Sequence, residues 1–494
     1  MTAPGAREAR LLRNTGYLLA AFLLQKPLSF LYFNYLAGKL GVTQLGVYTT
    51  LHDLIPITLI VIDFSLSIVL TREIAKNTDR AQALLSNVMG IKVVFALLIF
   101  ALGAAALAFN WVPAGYIAPE HHGLLFLVAL VVALDSFTLT FFAAFRGLQN
   151  MRYESFGVLG TQIATVALGF FALRLGYGLP AAFAAILLGS VFNFTFASIL
   201  LWRRARLTPK PDWHASTIRQ LLAIALPFAA TAVLVKLFIY TDRYILLGAS
   251  HGDKFPLGVY VTAHKWTYTF EFLPAALAAA LLPAMSAAFV QSKERLAYLF
   301  ERSLHYLLVA GFPILVGLFV LGDRILLQFL PREFQLSVLP LRILVFALPA
   351  IFLNYPVGTL LNATNRQIYN TLSMGIALLV NVFINLVLVG RLSYTGTAIA
   401  TVISSTVLLM LGTIWVSRVI RIPWGMIGTN TGRSLVAAAA MGLAVAAARP
   451  LNLWLVILLG IAVYAGALAA VGGFSRADLR VLTRALRGQG EDAV

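Results

Sequence analysis

Apolar residues in this 494-residue chain neither alternate nor follow narrow helical stripes; they run in long blocks separated by short clusters of Arg, Lys, Gly and Pro. A helix crosses about 30 Å of hydrocarbon with about 20 apolar residues. Blocks of that kind lie at 14–37, 48–71, 88–110, 122–145, 156–174, 180–202, 218–242, 257–288, 304–322, 338–361, 372–390, 394–417, 433–449 and 453–472. The pattern predicts an all-α polytopic membrane protein of about 14 transmembrane helices joined by short loops.

Composition narrows the class further. Hydrophobic residues make up 60% and charged residues 11%, whereas a soluble domain carries about 25% charged residues. Cysteine is absent, which excludes disulfides, thiolate metal sites and cysteine nucleophiles. The seven His have no metal-ligand spacing, so no cofactor and no metal are expected. Arg7, Arg10 and Arg13 precede the first block as in a signal peptide, but the block runs to about Ala37 without an Ala-x-Ala site and reads as a retained span.

An even number of spans puts both termini on one side. Assigning the termini and every second loop to that side collects 24 of the 37 Lys and Arg, against eight on the other. This bias predicts a bacterial inner-membrane protein with both termini cytoplasmic. It also accounts for the net charge of +18 through contact with anionic lipid, without nucleic acid.

The chain repeats itself. Leu45-Gly46-Val47-Tyr48-Thr49-Thr50-Leu51-His52 and Leu257-Gly258-Val259-Tyr260-Val261-Thr262-Ala263-His264 agree at six of eight positions. Arg174-Leu175-Gly176-Tyr177 is echoed by Arg391-Leu392-Ser393-Tyr394, and Lys26 by Lys236. The spacing predicts two parallel six-helix repeats related by a pseudo-two-fold axis along the membrane normal, with the substrate path at their seam. The expected domains are an N-terminal lobe, 1–210, a C-terminal lobe, 211–425, and 426–494, two extra spans with a basic tail. The extra spans read as lipid-facing helices or a partner surface.

Residues 14–80, with Asn14, Gly41, Leu45-Gly46-Val47-Tyr48, Asp63-Phe64-Ser65-Leu66-Ser67 and Thr71-Arg72-Glu73-Ile74-Ala75, resemble the Wzx-type flippases. These are the polysaccharide transporters of the multidrug/oligosaccharidyl-lipid/polysaccharide exporter superfamily. Asp242 to Tyr260, Asn362-Ala363-Thr364-Asn365-Arg366, Asn381, Asn385 and Gly396 are similar to that family's second half, so the resemblance covers about residues 10–420. Ser65 and Asn365 stand where the family usually has Gly. The resemblance implies two lobes that alternate access and carry polyprenyl-diphosphate-linked oligosaccharide to the outer leaflet, for cell-surface polysaccharides such as O-antigen. Other polysaccharide-assembly proteins would be partners.

Charges inside a membrane each cost at least about 2.5 to 3.5 kcal/mol and need a partner, water or a function. Lys26, Asp63, Asp135, Lys236, Lys265 and Glu271 lie inside the apolar blocks. Lys26 and Lys236, in equivalent spans, suit a diphosphate at the seam; alternatively each Lys pairs with a buried carboxylate. Lys236, Tyr240 and Arg243 share one helical face by spacing, as do His264, Tyr268 and Glu271, with Lys265 beside them. These faces suit sugar and phosphate, or serve packing. His52 and Asp63 are three turns apart and suit an H+ or Na+ relay, unless Asp63 only tethers the Arg72 end; Asp135 is the second coupling candidate. Lys92 and Arg342, near span ends, are expected to snorkel.

No GxxxxGK[ST] motif is present, so the chain itself is not expected to hydrolyse ATP. The leading reading is a lipid-linked oligosaccharide flippase and not an enzyme. A proton- or cation-coupled drug exporter is the alternative, and a membrane glycosyltransferase or polymerase fits the short outer loops least.

Overall fold

The computed structural model describes residues 4–111 and 115–473, without the side chains of 4–15, 18, 19 and 22. Arg7, Arg10, Arg13 and the basic tail from Arg476 to Arg487, on which the orientation partly rests, lie outside the described side chains. Among the described residues the chain is helical throughout. The helices are α1 (Pro4–Asp63), α2 (Leu66–Lys76), α3 (Ala81–Ala108), α4 (His122–Gly147), α5 (Arg152–Arg174), α6 (Gly178–Leu200), α7 (Ala215–Ala249), α8 (Phe255–Tyr268), α9 (Phe272–Gln291), α10 (Lys293–Phe329), α11 (Val338–Leu344), α12 (Leu348–Ala363), α13 (Gln367–Ser417), α14 (Trp424–Ala447) and α15 (Leu453–Ala470).

Among the described residues, eleven stretches are long and apolar enough to cross a membrane. At 60 and 51 residues, α1 and α13 far exceed one crossing, and each breaks at one residue with non-helical dihedrals, Gly41 and Ser393. Each is therefore long enough for two crossings, and α14 is a further helix of 24 residues outside the eleven, which is approximately consistent with the about 14 blocks in the sequence.

Contacts divide the chain into two compact units: residues 1–265 with 329–333 and 378–400, and residues 266–328 with 334–377 and 401–494. In the first, one core gathers Leu70, Leu85, Phe141 and Phe145 from α2, α3 and α4, and another gathers Leu51, Val131 and Phe183 from α1, α4 and α6. In the second, Phe300 and Leu304 of α10 pack with Leu360 and Leu361 of α12 and Val416 of α13. There α14 and α15 dock on α10 through Ala437, Met441, Val456 and Leu468, and the Tyr464 hydroxyl donates to the Val309 carbonyl at 2.8 Å. The extra spans thus pack part of their surface internally, while Leu443, Leu455, Leu458 and Ile461 stay exposed as lipid-facing residues do.

The duplicated motif marks a close helix crossing inside the first unit. A Cβ on Gly46 would collide with the carbonyl of Lys254, four residues before Gly258; a Cβ on Gly258 would collide with the carbonyl of Val42, four residues before Gly46. The contact is reciprocal, as at a two-fold axis. Only residues without side chains allow backbones to approach so closely. The local turns repeat as well. The chain leaves α4 through Gln149 (φ 57°) and α12 through Asn365 (φ 58°), each with the same pair of backbone bonds: Asn150 N to Phe145 O and Gln149 N to Arg146 O in one, Arg366 N to Leu361 O and Asn365 N to Asn362 O in the other. Gly176 and Ser393, at corresponding places in the second echo, both have positive φ.

Between α1 and α2 the span is interrupted by two left-handed residues, Phe64 (φ 44°) and Ser65 (φ 58°). Ser65 thus adopts the conformation for which Gly is suited, and its buried hydroxyl has no hydrogen-bond partner among the described residues. A left-handed non-glycine residue costs about 1 to 2 kcal/mol, and glycine returns part of that as unfolded-chain entropy. Ser65→Gly should therefore stabilise the protein by about 1 kcal/mol; a lowered thermal midpoint in detergent would contradict this account.

In the loop before α8, the Lys254 Nζ donates to the carbonyls of Gly115 and Tyr116 at 2.7 and 2.8 Å. Burial lowers its pKa from 10.5 to about 8, against the opposing pull of Asp253. Between these values the unfolded chain holds the proton and the folded one does not, so this residue's contribution to stability grows as pH rises through about 8 and is lost as pH falls below it. Amine-reactive labelling of Lys254 in the folded protein should accordingly have its midpoint near pH 8, and a midpoint near 10.5 would show an unperturbed amine.

Candidate functional site

Among the described residues of the first unit, ion pairs with buried carboxylates tie helices together: Arg146 of α4 meets Glu154 of α5 at 2.9 Å, and two further pairs join helices more distant in the chain. The Asp63 carboxylate, at the break between α1 and α2, meets the Lys92 ammonium of α3 at 2.6 Å and accepts from the Ser67 hydroxyl. Lys92 is completely buried and also donates to the Ser136 carbonyl of α4 at 2.9 Å. Lys92 is therefore not a snorkelling residue: its ammonium points inward because a carboxylate waits there. Arg342 extends to the Phe319 carbonyl and lies 3.5 Å from Asp323, which also binds Arg449.

The second pair joins the two repeats. Arg243 of α7 meets Asp53 of α1 at 2.6 Å, with His52 alongside at 3.9 Å. Hydropathy ends this span at 242 and puts Arg243 in an outer loop; α7 in fact continues to Ala249, because Asp53 neutralises the charge that would otherwise end the apolar segment. The Arg243 Nε has no hydrogen-bond partner among the described residues. The Lys236 ammonium and the Arg243 guanidinium flank the Tyr240 ring at 5.9 and 5.2 Å. His264 lies 5.8 Å from the Tyr260 ring. Lys265 reaches Ser29 at 3.4 Å and the Phe33 ring at 5.5 Å, close enough to Lys26 and Arg243 for their charges to repel. Lys26, itself exposed, thus has Lys265 as its cationic neighbour, while Lys236 lines a different surface.

That surface is a cleft of about 870 Å³ between α1, α7 and the first half of α13. Its walls are mostly apolar, with Ile57, Val61, Leu237 and Leu386 among them, and Lys236, Tyr240, Tyr244 and Asn385 are among its polar residues, with Tyr116 and Thr241.

The remaining candidates scatter. Asp135 hydrogen-bonds Ser190, and the Asp63 carboxylate, occupied by Lys92 and Ser67, is no simple partner for His52. Glu271 hydrogen-bonds Tyr355 in the second unit. The face expected from His264 through Glu271 is interrupted, because Thr269–Glu271 forms a 3-10 turn between α8 and α9. Pro274 lies in the first turn of the helix that follows, where its missing N–H costs no helical hydrogen bond. Tyr268 precedes that turn, half-buried. A buried cluster absent from the candidates completes the picture: Asp242 accepts from Tyr260 and Asn385, each at 3.0 Å, and Asn385 also reaches Asn381 at 3.1 Å. Two Asn four residues apart inside an apolar block were the available signal.

Removing one partner of a buried ion pair costs about 3 to 5 kcal/mol. Asp63→Asn should therefore lower the thermal midpoint sharply, and the double variant Asp63→Asn, Lys92→Met should recover at least half of the loss. An undiminished midpoint for Asp63→Asn would show that the pair does not hold the break.

Comparison with known proteins places this arrangement. Superposition on the lipid II flippase MurJ in an inward closed conformation gives a TM-score of 0.74 at 16% identity, over 91% of this chain and 97% of that one. An inward-facing multidrug resistance MATE family transporter of the MOP superfamily gives 0.67 at 16% identity, over 80% and 94%. An outward-facing one gives 0.59 at 15%, over 83% and 95%. No curated protein sequence matches. Residues 11–289 match the family described as polysaccharide biosynthesis protein. That match spans more than half of the chain, so this multi-pass membrane protein belongs to the polysaccharide biosynthesis protein family, with a fold similar to those of a lipid II flippase and of MATE transporters.

Proposed function

We propose that this chain carries a polyprenyl-diphosphate-linked oligosaccharide from the cytoplasmic to the outer leaflet of the bacterial inner membrane, with both termini cytoplasmic. The observation that carries the reading is an excess of cations next to an apolar cleft. Lys236 lines the apolar cleft, Arg243 flanks the same Tyr240 ring, and Lys26 and Lys265 lie close to one another elsewhere in the first unit, with Asp53 pairing Arg243. An amphiphile with a long apolar tail and an anionic head suits that combination; a cationic drug does not. Arg243 retains an unused Nε donor for phosphate, and Tyr240 and Tyr244 offer aromatic faces to sugar.

Alternating access is supported by the fold, since proteins that share it take inward-closed, inward-facing and outward-facing conformations. A coupling H+ or Na+ would need a carboxylate held by neutral donors. Asp242, bonded by Tyr260 and Asn385, and Asp135, bonded by Ser190, have such neighbours, whereas Asp63 is neutralised by Lys92.

The test is reconstitution of the protein in liposomes with a fluorescent polyprenyl-diphosphate oligosaccharide and an external glycosidase. The wild type should accelerate loss of protection. Lys26→Gln, Lys236→Gln and Lys265→Gln should each slow it by about tenfold, the worth of one hydrogen bond to a charged group, with membrane insertion unchanged. Normal flipping by all three variants would remove the cationic site; no flipping by folded wild type with several glycans would favour small-molecule export.

A further inference from the structure

The second unit holds a separate cavity of about 430 Å³ where the start of α10 meets α14 and the segment leading into it. Its lining has a composition unlike that of the cleft in the first unit. Arg302 and Arg421 bring two guanidinium groups, Tyr298 a phenol, and Glu301 and Asn430 a hydrogen-bonded pair, Asn430 Nδ2 donating to Glu301 Oε1 at 3.1 Å. Glu301 is 4% exposed, so its carboxylate forms the cavity's inner wall. Arg302 is held between the rings of Tyr298 and Tyr306, at 5.7 and 5.6 Å, which directs its guanidinium.

The cavity opens where the protein surface changes character. Arg295, Arg302, Arg418 and Arg421 cluster at this end of α10 and α13, whereas α14 presents Trp424, Met426, Leu435 and Val436 outward. Arg beside exposed Trp and aliphatic side chains is the signature of the headgroup level of a bilayer, and basic pockets between helices at that level hold lipid phosphates.

We infer that this cavity binds the headgroup of an anionic glycerophospholipid of the phosphatidylglycerol type. Arg302 and Arg421 take the phosphodiester, the headgroup hydroxyls donate to the Glu301 carboxylate, and the acyl chains lie along Met426 and the exposed face of α14. Two cations and one carboxylate leave one net positive charge for a headgroup with one net negative charge. The carboxylate adds a preference for a hydroxyl-bearing headgroup over bare phosphate. The lipid would bridge α10 and α14, fastening the last two spans to the second unit. This site is independent of the cleft, of Lys26 and of any substrate.

The test uses the full chain in detergent micelles doped with defined lipids, with retained lipid counted by native mass spectrometry. Phosphatidylglycerol should be retained about tenfold over phosphatidylcholine and phosphatidylethanolamine. Arg302→Gln and Arg421→Gln should each reduce retention about fivefold, the worth of one basic residue at an anionic headgroup. Arg418→Gln, a charge change on the same surface that does not line the cavity, should leave retention unchanged and controls for folding and for bulk electrostatics. Equal retention of all three lipids, unaltered retention in both cavity variants, or an equal loss in Arg418→Gln overturns the inference. So does displacement of the lipid by millimolar inorganic phosphate, which would make the cavity a site for a soluble anion. Millimolar glycerol phosphate, which carries both the phosphate and the hydroxyls, should displace only weakly, because it lacks the acyl chains.

Discussion

A charge in hydrocarbon must be neutralised, wetted or absent, and this constraint accounts for more of the structure than any single packing contact. Asp63 and Lys92 meet where a transmembrane helix stops and restarts, so one ion pair satisfies two charges and ties α1, α2, α3 and α4 together. The interruption at Phe64 and Ser65 frees backbone groups that lipid could not satisfy. It is tolerated because it is buried in protein, beside a carboxylate and an ammonium. Asp53 and Arg243 obey the same constraint in a different way, linking a helix of each repeat.

The spans, the duplication and the resemblance were legible in the sequence because each is written in contiguous residues. Hydropathy locates apolar blocks whatever their neighbours, and Leu45-Gly46-Val47-Tyr48 needs no structure to be compared with Leu257-Gly258-Val259-Tyr260. The pairing of charges was not legible. Lys92 lies 29 positions from Asp63, and Arg243 lies 190 from Asp53. A one-dimensional hydropathy profile treats both cations as span-end residues because it cannot see the carboxylate that makes burial tolerable. The face Lys236, Tyr240, Arg243 could be read because α7 is continuous there, whereas His264 to Glu271 could not, because a 3-10 turn at Thr269–Glu271 separates α8 from α9.

Ser65 and Asn365 show how a fold survives a departure in sequence. Both stand where glycine is usual in the family, and both adopt the left-handed conformation that glycine accepts without strain. Asn tolerates that region because its short amide can bond locally, and the Asn365 turn keeps both of its backbone hydrogen bonds. At Gly46 and Gly258 the constraint is contact with a neighbouring carbonyl and not a dihedral angle. Any side chain would occupy space already filled, whereas a left-handed turn costs only strain.

The same distinction separates structural from functional charges. Lys92 and Asp63 compensate each other completely and leave nothing for a ligand, which explains why the deepest charge in the first unit is not its best site candidate. Lys26 and Lys265 instead repel one another, and Lys236 stands over a tyrosine ring at the edge of an apolar cleft. Cations kept close together in a membrane without a matching set of carboxylates are unfavourable in the empty protein, so whatever anion enters gains the energy of relieving that repulsion. The gain is available to a headgroup that would otherwise have no reason to leave water, and the apolar wall gives its tail no reason to leave the lipid. The proposed function asks for both properties in the first unit, where the Asp53–Arg243 pair stands beside the Tyr240 ring over which Lys236 also lies.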